Sequence, residues 1–249
     1  MARAIARGWG DPVLVSDTGS GRAQQLVDEL GGEAFSSNVE VARRADALVL
    51  CHKPYHLEQV ARELREFKLP VVSVLGSTGL DRLQRAYPDS PVFVTMPNTP
   101  VEVRQGVVVY VDREDSDDDE RAAPVARNAF EPQIIAQFER LGRVVRVPER
   151  LLDAAGTVTG VGPAYQALLA EAQIDAAIRQ GLGPRLAAEL VVATITGTAK
   201  LIEERDYDTL AVRRDVTSPG GSTARGLNAL EHAGVRAAFQ DAADAVGGA

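Results

Sequence analysis

The chain has 249 residues, which suits one or two domains at about 150 residues each and allows a hydrophobic core without covalent staples. Its composition, 45% apolar, 25% charged and 5% aromatic with 22 Gly and 13 Pro, excludes a disordered, collagenous or coiled-coil chain. Its net charge of −8 is largely local, because Asp112–Glu120 holds seven acids and one arginine and the rest of the chain is close to neutral. With no basic stripe and few aromatic residues to stack bases, it lacks an electrostatic footprint for nucleic acid. No apolar run approaches the 18 or so residues of a membrane span, and Met1–Gly10 has no apolar segment of the signal-peptide kind. The single cysteine, Cys51, permits no internal disulfide, so the expected compartment is the cytoplasm.

The elements alternate along the chain. Met1–Trp9 has helical spacing around Ile5; Gly10-Asp11-Pro12 breaks it, and Val13-Leu14-Val15 reads as a strand. Ala23, Leu26, Val27 and Leu30 fall on one helical face over Arg22–Leu30, and Gly31-Gly32 stops that helix. A buried strand is expected over Ala47–Cys51, a helix through Leu57, Val60, Leu64 and Phe67, and further strands at Val71–Leu75, Val92–Val94 and Val107–Val111. The charged stretch from Asp112 to about Pro132 reads as a solvated loop or helix start. A helix near Ile134–Leu141 and a strand over Val144–Val147 close the first domain. Short β-branched runs between amphipathic helices predict a doubly wound parallel sheet, Rossmann-like, over residues 1–148.

From Glu149 the strand signal disappears, and residues 149–249 read as an all-helical domain punctuated by Pro163, Gly181-Leu182-Gly183-Pro184 and Gly220-Gly221. Its middle helix, Arg185–Glu204, is apolar nearly all round, which calls for burial on every side. About a hundred residues cover such a helix less easily than a partner subunit does, so an intertwined homodimer is expected.

In an open parallel sheet ligands bind beyond the carboxyl ends of the strands. The residues there are Ser16-Asp17-Thr18, Cys51-His52-Lys53-Pro54, Gly76-Ser77-Thr78 and Thr95–Pro100, a polar rim suited to a cofactor. The glycine-rich candidate Gly19-Ser20-Gly21 has Gln24 where a third glycine belongs and fails as a pyrophosphate turn. Asp17 reads instead as a ribose-facing acid ending a second strand, which would place a first strand and its glycine loop ahead of Met1. Thr217–Thr223 precedes a helix, and its two glycines and hydroxyls converge on an anion-binding mouth sized for a carboxylate. Glu171, Asp175 and Arg179 form a surface ladder at helical spacing. Cys51, His52 and His56 lack a carboxylate cluster to complete a metal site, and adjacent strand residues do not form a Cys–His catalytic pair.

Met1–Ile5, Cys51–Pro54, Met96–Pro100, Gly162-Pro163-Ala164-Tyr165 and Thr217–Thr223 occur in the order and approximate spacing of the pyrroline-5-carboxylate reductases, so nearly the whole chain resembles that family. The resemblance implies NADP or NAD as cofactor and reduction of 1-pyrroline-5-carboxylate to L-proline, the last step of proline biosynthesis. It also implies a site assembled from two subunits. Lys53, Pro54, Leu75, Gly76, Met96, Pro97 and Asn98 would then border the dinucleotide, and Ser218, Gly220, Gly221 and Thr223 would hold the substrate carboxylate. No side chain is assigned as general acid, since a protonated cyclic imine is already electrophilic. The family's Gly-x-Gly-x-Met turn would end at Met1, Val161 replaces a small polar residue, and the acidic segment after Val111 is longer than the family's connection. Asp17 would favour NADH, whereas Ser16, Thr18, Ser20 and Arg22 could take a 2′-phosphate, so the coenzyme stays open. Two other readings share these features: a catalytically impaired dimer that binds small carboxylates or regulates, and a related imine or hydroxy-acid reductase.

Overall fold

The computed structural model describes residues 1–112 and 126–247. Helix α1 (Ala2–Trp9) ends at Gly10, whose left-handed backbone (φ 71°) returns its N–H to the Ala6 carbonyl. Strand β1 (Val13–Ser16) follows, then α2 (Arg22–Leu30) over the span its apolar spacing marks. Two elements that the sequence pattern does not announce come next: β2 (Gly32–Phe35), parallel to β1, and the short α3 (Asn38–Ala42). The sequence of β2, GEAF, has neither an apolar run nor a clear alternation. Pairing with β1 defines it, and Gly32 is required there because the Val13 backbone occupies the space of a side chain.

Strand β3 (Leu48–Leu50) leads through a 3₁₀ turn at Pro54–His56 into α4 (Leu57–Leu64), followed by β4 (Val71–Ser73), α5 (Leu80–Ala86) and β5 (Val92–Pro97). A second 3₁₀ turn, Thr99–Val103, precedes β6 (Gly106–Asp112); α6 (Ala126–Glu139) and β7 (Gly142–Pro148) complete the sheet. The strand order is β3-β4-β5-β6-β7, and β1-β2 forms a separate two-stranded sheet. All pairs are parallel except β5–β6. The connection between these two, Asn98–Gln105, falls short of the dozen or so residues a parallel crossover needs, so the chain turns back on itself. Of the acidic stretch, Asp112 ends β6 and Ala126–Pro132 opens α6, while 113–125 lies outside the described residues.

The doubly wound plan follows from alternation on the central strands. Val71, Val92 and Val94 pack with Leu50, Leu57, Leu64 and Leu83 against α4 and α5. Val72 and Phe93 point the other way, to Ile5, Phe138 and Leu141 on the side of α1 and α6. Both faces of the central strands β4 and β5 are therefore dry, as strands buried between two layers of helices require. Helix α1 crosses the Thr99–Val103 turn so closely that a Cβ on Gly8 would overlap the Val101 carbonyl and approach the Leu141 side chain. Gly8→Ala is expected to destabilise the fold by about 1–3 kcal/mol, read as a lower urea midpoint; an unchanged midpoint would mean that the helix can move away.

A 3₁₀ turn at Glu149–Leu151 and α7 (Leu152–Thr159) follow β7. By internal contacts the chain forms two compact units, Met1–Pro163 and Ala164–Ala249. The second contains most of α8 (Gly162–Arg179), then α9 (Pro184–Glu204), α10 (Thr209–Asp215), α11 (Ser222–His232) and α12 (Val235–Gly247). Pro184 starts α9, and Asp208 caps α10 by accepting from the Leu210 and Ala211 N–H groups. Burial separates this unit from the first: among its described residues only Ala187 and Val212 are buried. The apolar girdle of α9 is open instead, with Leu190 48% and Val192 53% exposed.

Candidate active site

Three rim segments leave the five-stranded sheet at one edge. Leu50, Ser73 and Val94 are level in the ladder, so Cys51–Pro54, Val74–Gly79 and the end of β5 emerge side by side. Lys53 is extended before Pro54 opens its 3₁₀ turn, and it carries an exposed ammonium at this edge. Beside it the His52 Nδ1 lies 2.9 Å from the Lys53 carbonyl, while its Nε2 is buried without a hydrogen-bond partner. Leu75 is buried and its N–H donates to Ser73 Oγ at 3.2 Å. Gly76 is exposed, with open space where a side chain would stand.

The sequence pattern does not reveal what holds this second segment. Helix α5 lacks a side-chain cap from its own N-terminus; Glu149, just past β7, accepts from the Leu80 N–H at 2.6 Å and anchors the loop from outside. No local signal marks such a cap, because the two residues meet only through the folding of the sheet. In the third segment Met96 is half-buried, and its sulfur lies against Gly156 of α7, 3.3 Å from where a Cβ there would sit. Pro97 and Asn98 are buried. Asn98 Oδ1 accepts from the Val107 N–H at 2.8 Å and its own N–H donates to the Val107 carbonyl at 3.1 Å, so Asn98 shapes the rim by fixing the return into β6.

Burial pushes the Cys51 thiol up to about 11, and the positive amino end of α1 lies near enough to this edge to oppose that rise in part. Met1 offers no side-chain cap, so the first N–H groups of α1 have no side-chain acceptor there. A level rim, an open Gly76, a lysine and an uncapped helix end suit a dinucleotide laid along the strand ends. Cys51 and His52 lie beyond the end of β3, and among the described residues no group of three His, Cys, Asp or Glu side chains is arranged to hold a metal.

Asp17 follows β1 in the two-stranded sheet. Its Oδ1 accepts from the Gly19 N–H at 2.7 Å, and its Oδ2 accepts from Ser20 Oγ at 2.8 Å and the Ala23 N–H at 3.0 Å. These donors, led by Ala23 and Ser20, hold its carboxyl down at about 2, so it is ionised at neutral pH. With Gly19, Gly21, Ala23, Gln24, Ala34, Phe35 and Ser36 it lines a cavity of about 290 Å³.

In the helical unit, Ser218–Thr223 turns sharply before α11. Gly220 is left-handed at φ 68°, and the Gly221 N–H donates to the Ser218 carbonyl at 3.0 Å. Helix α11 has no side-chain cap at Gly221, so its first N–H groups have no side-chain acceptor there, and Ser222 and Thr223 stand in its first turn. Arg225, which the sequence pattern does not single out, donates from Nη1 to the Gly220 carbonyl at 2.7 Å, bracing the turn and bringing a cation to it. Donors, a helix dipole and a positive charge of this kind suit an anion.

A doubly wound unit with such a rim, followed by a helical unit with a turn of unpaired donors, defines a nicotinamide-dinucleotide oxidoreductase of the two-domain kind. Residues 1–76 match the family model described as NADP oxidoreductase coenzyme F420-dependent, and residues 149–247 match pyrroline-5-carboxylate reductase dimerisation. The pyrroline-5-carboxylate reductase of Synechocystis sp. is 34% identical over 97% of this chain and 88% of its own. A solved pyrroline-5-carboxylate reductase from Coxiella burnetii superposes with a TM-score of 0.80 at 26% identity, covering 99% of this chain and 92% of that one. The Plasmodium falciparum pyrroline carboxylate reductase with NADP bound has the same fold, with a TM-score of 0.81 at 24% identity, covering 98% of this chain and 90% of its own. The chain belongs to the pyrroline-5-carboxylate reductase family. It is accordingly an oxidoreductase, and the family reaction is reduction of 1-pyrroline-5-carboxylate to L-proline.

Proposed function

We propose that this chain performs that reduction with NADPH or NADH and that Ser218, Gly220, Gly221 and Thr223 hold the carboxylate of the substrate. The observation that carries the assignment is the uncapped amino end of α11 behind the left-handed Gly220 turn. Lys53, Pro54, Leu75, Gly76, Met96, Pro97 and Asn98 border the dinucleotide, which when bound supplies the hydride. The protein's task is positional: a protonated cyclic imine accepts hydride directly, so holding it about 3–3.5 Å from the donor carbon supplies much of the rate without a named general acid.

Residues 1–148 form the dinucleotide-binding part and 149–249 the dimerisation and substrate-binding part; the start of the dimerisation match immediately after β7 supports this boundary. The functional form is a homodimer, or a larger assembly of dimers, in which the mouth of one subunit serves the rim of its partner. The open apolar surface of α9 supports the partner. The proposed compartment is the cytoplasm: none of the described helices is long and apolar enough to cross a membrane, and the chain has no cysteine pair to oxidise.

Thr223→Ala removes one neutral donor, worth about 1 kcal/mol, and is expected to raise KM for 1-pyrroline-5-carboxylate roughly five-fold while leaving coenzyme KM unchanged. An unchanged substrate KM refutes the role of Thr223. Failure of the wild-type chain to oxidise either coenzyme with this substrate would favour the non-catalytic carboxylate binder, and faster turnover of another imine or a keto acid would favour the related reductase.

A further inference from the structure

We propose that Asp17 makes this chain selective for NADH by filling, with its own carboxylate, the donor nest that a coenzyme 2′-phosphate would need; this rests on the dinucleotide assignment above. A phosphate at the end of the second strand of such a unit is held by hydroxyls, a cation and the N–H groups of the following turn and helix. Here Gly19 (φ 84°) and Gly21 (φ 76°) adopt left-handed conformations that bend the turn, and the Gly19 and Ala23 N–H groups converge on Asp17. The carboxylate therefore sits where the foreign anion would, and it is ionised at any working pH.

The nearby hydroxyls are engaged in the same way. Ser20 Oγ donates to Asp17, Ser16 Oγ donates to Asn38 Oδ1 at 2.8 Å, and Ser36 Oγ, on the same cavity, donates to Glu40 Oε2 at 3.1 Å. Thr18 and Arg22 remain, both exposed. Arg44, whose guanidinium lies 5.3 Å from the ring of Phe35 on this cavity, is already paired with Glu33, so an arriving 2′-phosphate meets the Asp17 carboxylate with Arg22 as the nearest cation in sequence. A ribose diol carries no charge and escapes this repulsion.

Calorimetric titration with ADP-ribose and with 2′-phospho-ADP-ribose tests this without turnover. The wild-type chain is expected to bind ADP-ribose at least tenfold more tightly, and Asp17→Ala, which empties the nest, is expected to erase or reverse the preference mainly by tightening the phosphorylated ligand. Asp17→Asn removes the charge while keeping an acceptor for the turn, so it carries the same test if circular dichroism shows that the alanine variant does not fold. Tighter wild-type binding of 2′-phospho-ADP-ribose, or a preference unchanged in the folded variants, overturns the inference alone. Binding of neither ligand overturns it together with the dinucleotide assignment.

Discussion

Leu190→Asp is expected to dissociate the protein into monomers and to lower kcat/KM for 1-pyrroline-5-carboxylate by about 100-fold or more, through loss of a hot-spot contact. Leu190 lies on α9, a 21-residue helix whose apolar side chains run round the whole circumference, and in the single chain it is 48% exposed. The helical unit buries Ala187 and Val212 among its described residues, too little apolar surface to order five helices alone. In the proposed dimer the girdle of α9 is covered by its symmetry mate, so each substitution acts twice. Placing an unpaired carboxylate in that interface costs about 3–5 kcal/mol, enough to shift a micromolar dimer to monomer. Light scattering coupled to size exclusion reads the mass, and the coupled fall in activity reads the shared site. A variant that keeps the wild-type mass and rate would show that α9 is not the interface.

Gly221→Val is expected to raise KM for 1-pyrroline-5-carboxylate by about 10- to 100-fold, with the KM of the coenzyme and the helical content preserved. A Cβ at this position meets the Ser218 hydroxyl, and a branched side chain there also covers the open amino end of α11. The loss corresponds to about 1.5–3 kcal/mol, the range of hydrogen bonds to a charged group. Gly221 has φ −70°, so the substitution adds bulk without backbone strain. Gly220, at φ 68°, would confuse the two effects, because a valine there is strained whatever the turn binds. An unchanged substrate KM in Gly221→Val would move the carboxylate site elsewhere.

The helices with regular apolar spacing were legible in the sequence. Arg22–Leu30 is expected and observed over the same residues, and the all-round apolar α9 is recognisable from its residues alone. The central strands were also legible, since VVSVL and VFV are too apolar for one-sided burial. Strand β2 and the helices α3 and α5 were not. GEAF becomes a strand because β1 offers it a ladder, and LDRLQRA becomes a helix whose end is held by Glu149 from beyond β7. The reversal at β5–β6 is recoverable from the length of Asn98–Gln105, although the run VVVYV is equally compatible with either direction.

The rim and the mouth divide similarly. Proline and glycine punctuation after apolar runs located Lys53-Pro54, Met96-Pro97-Asn98 and Ser218–Thr223, because such residues restrict or release the backbone wherever they occur. The partners of those residues depend on how the chain folds around them: Asn98 on the Val107 N–H, Arg225 on the Gly220 carbonyl, and Asp17 on its own turn. From sequence, Asp17 is an acid at a strand end and faces a ribose; in the folded chain its carboxylate is directed onto Gly19, Ser20 and Ala23.

The sequence by itself determined the two-part plan, the doubly wound unit followed by helices, and the family, because periodicity and short motifs are local properties of the chain. The tertiary structure decided the pairing of β2 with β1, the external cap on α5 and the exposure of α9. Each of these depends on which backbone or side chain comes within hydrogen-bonding or packing distance, and that distance is set only when the whole chain has closed around its sheet.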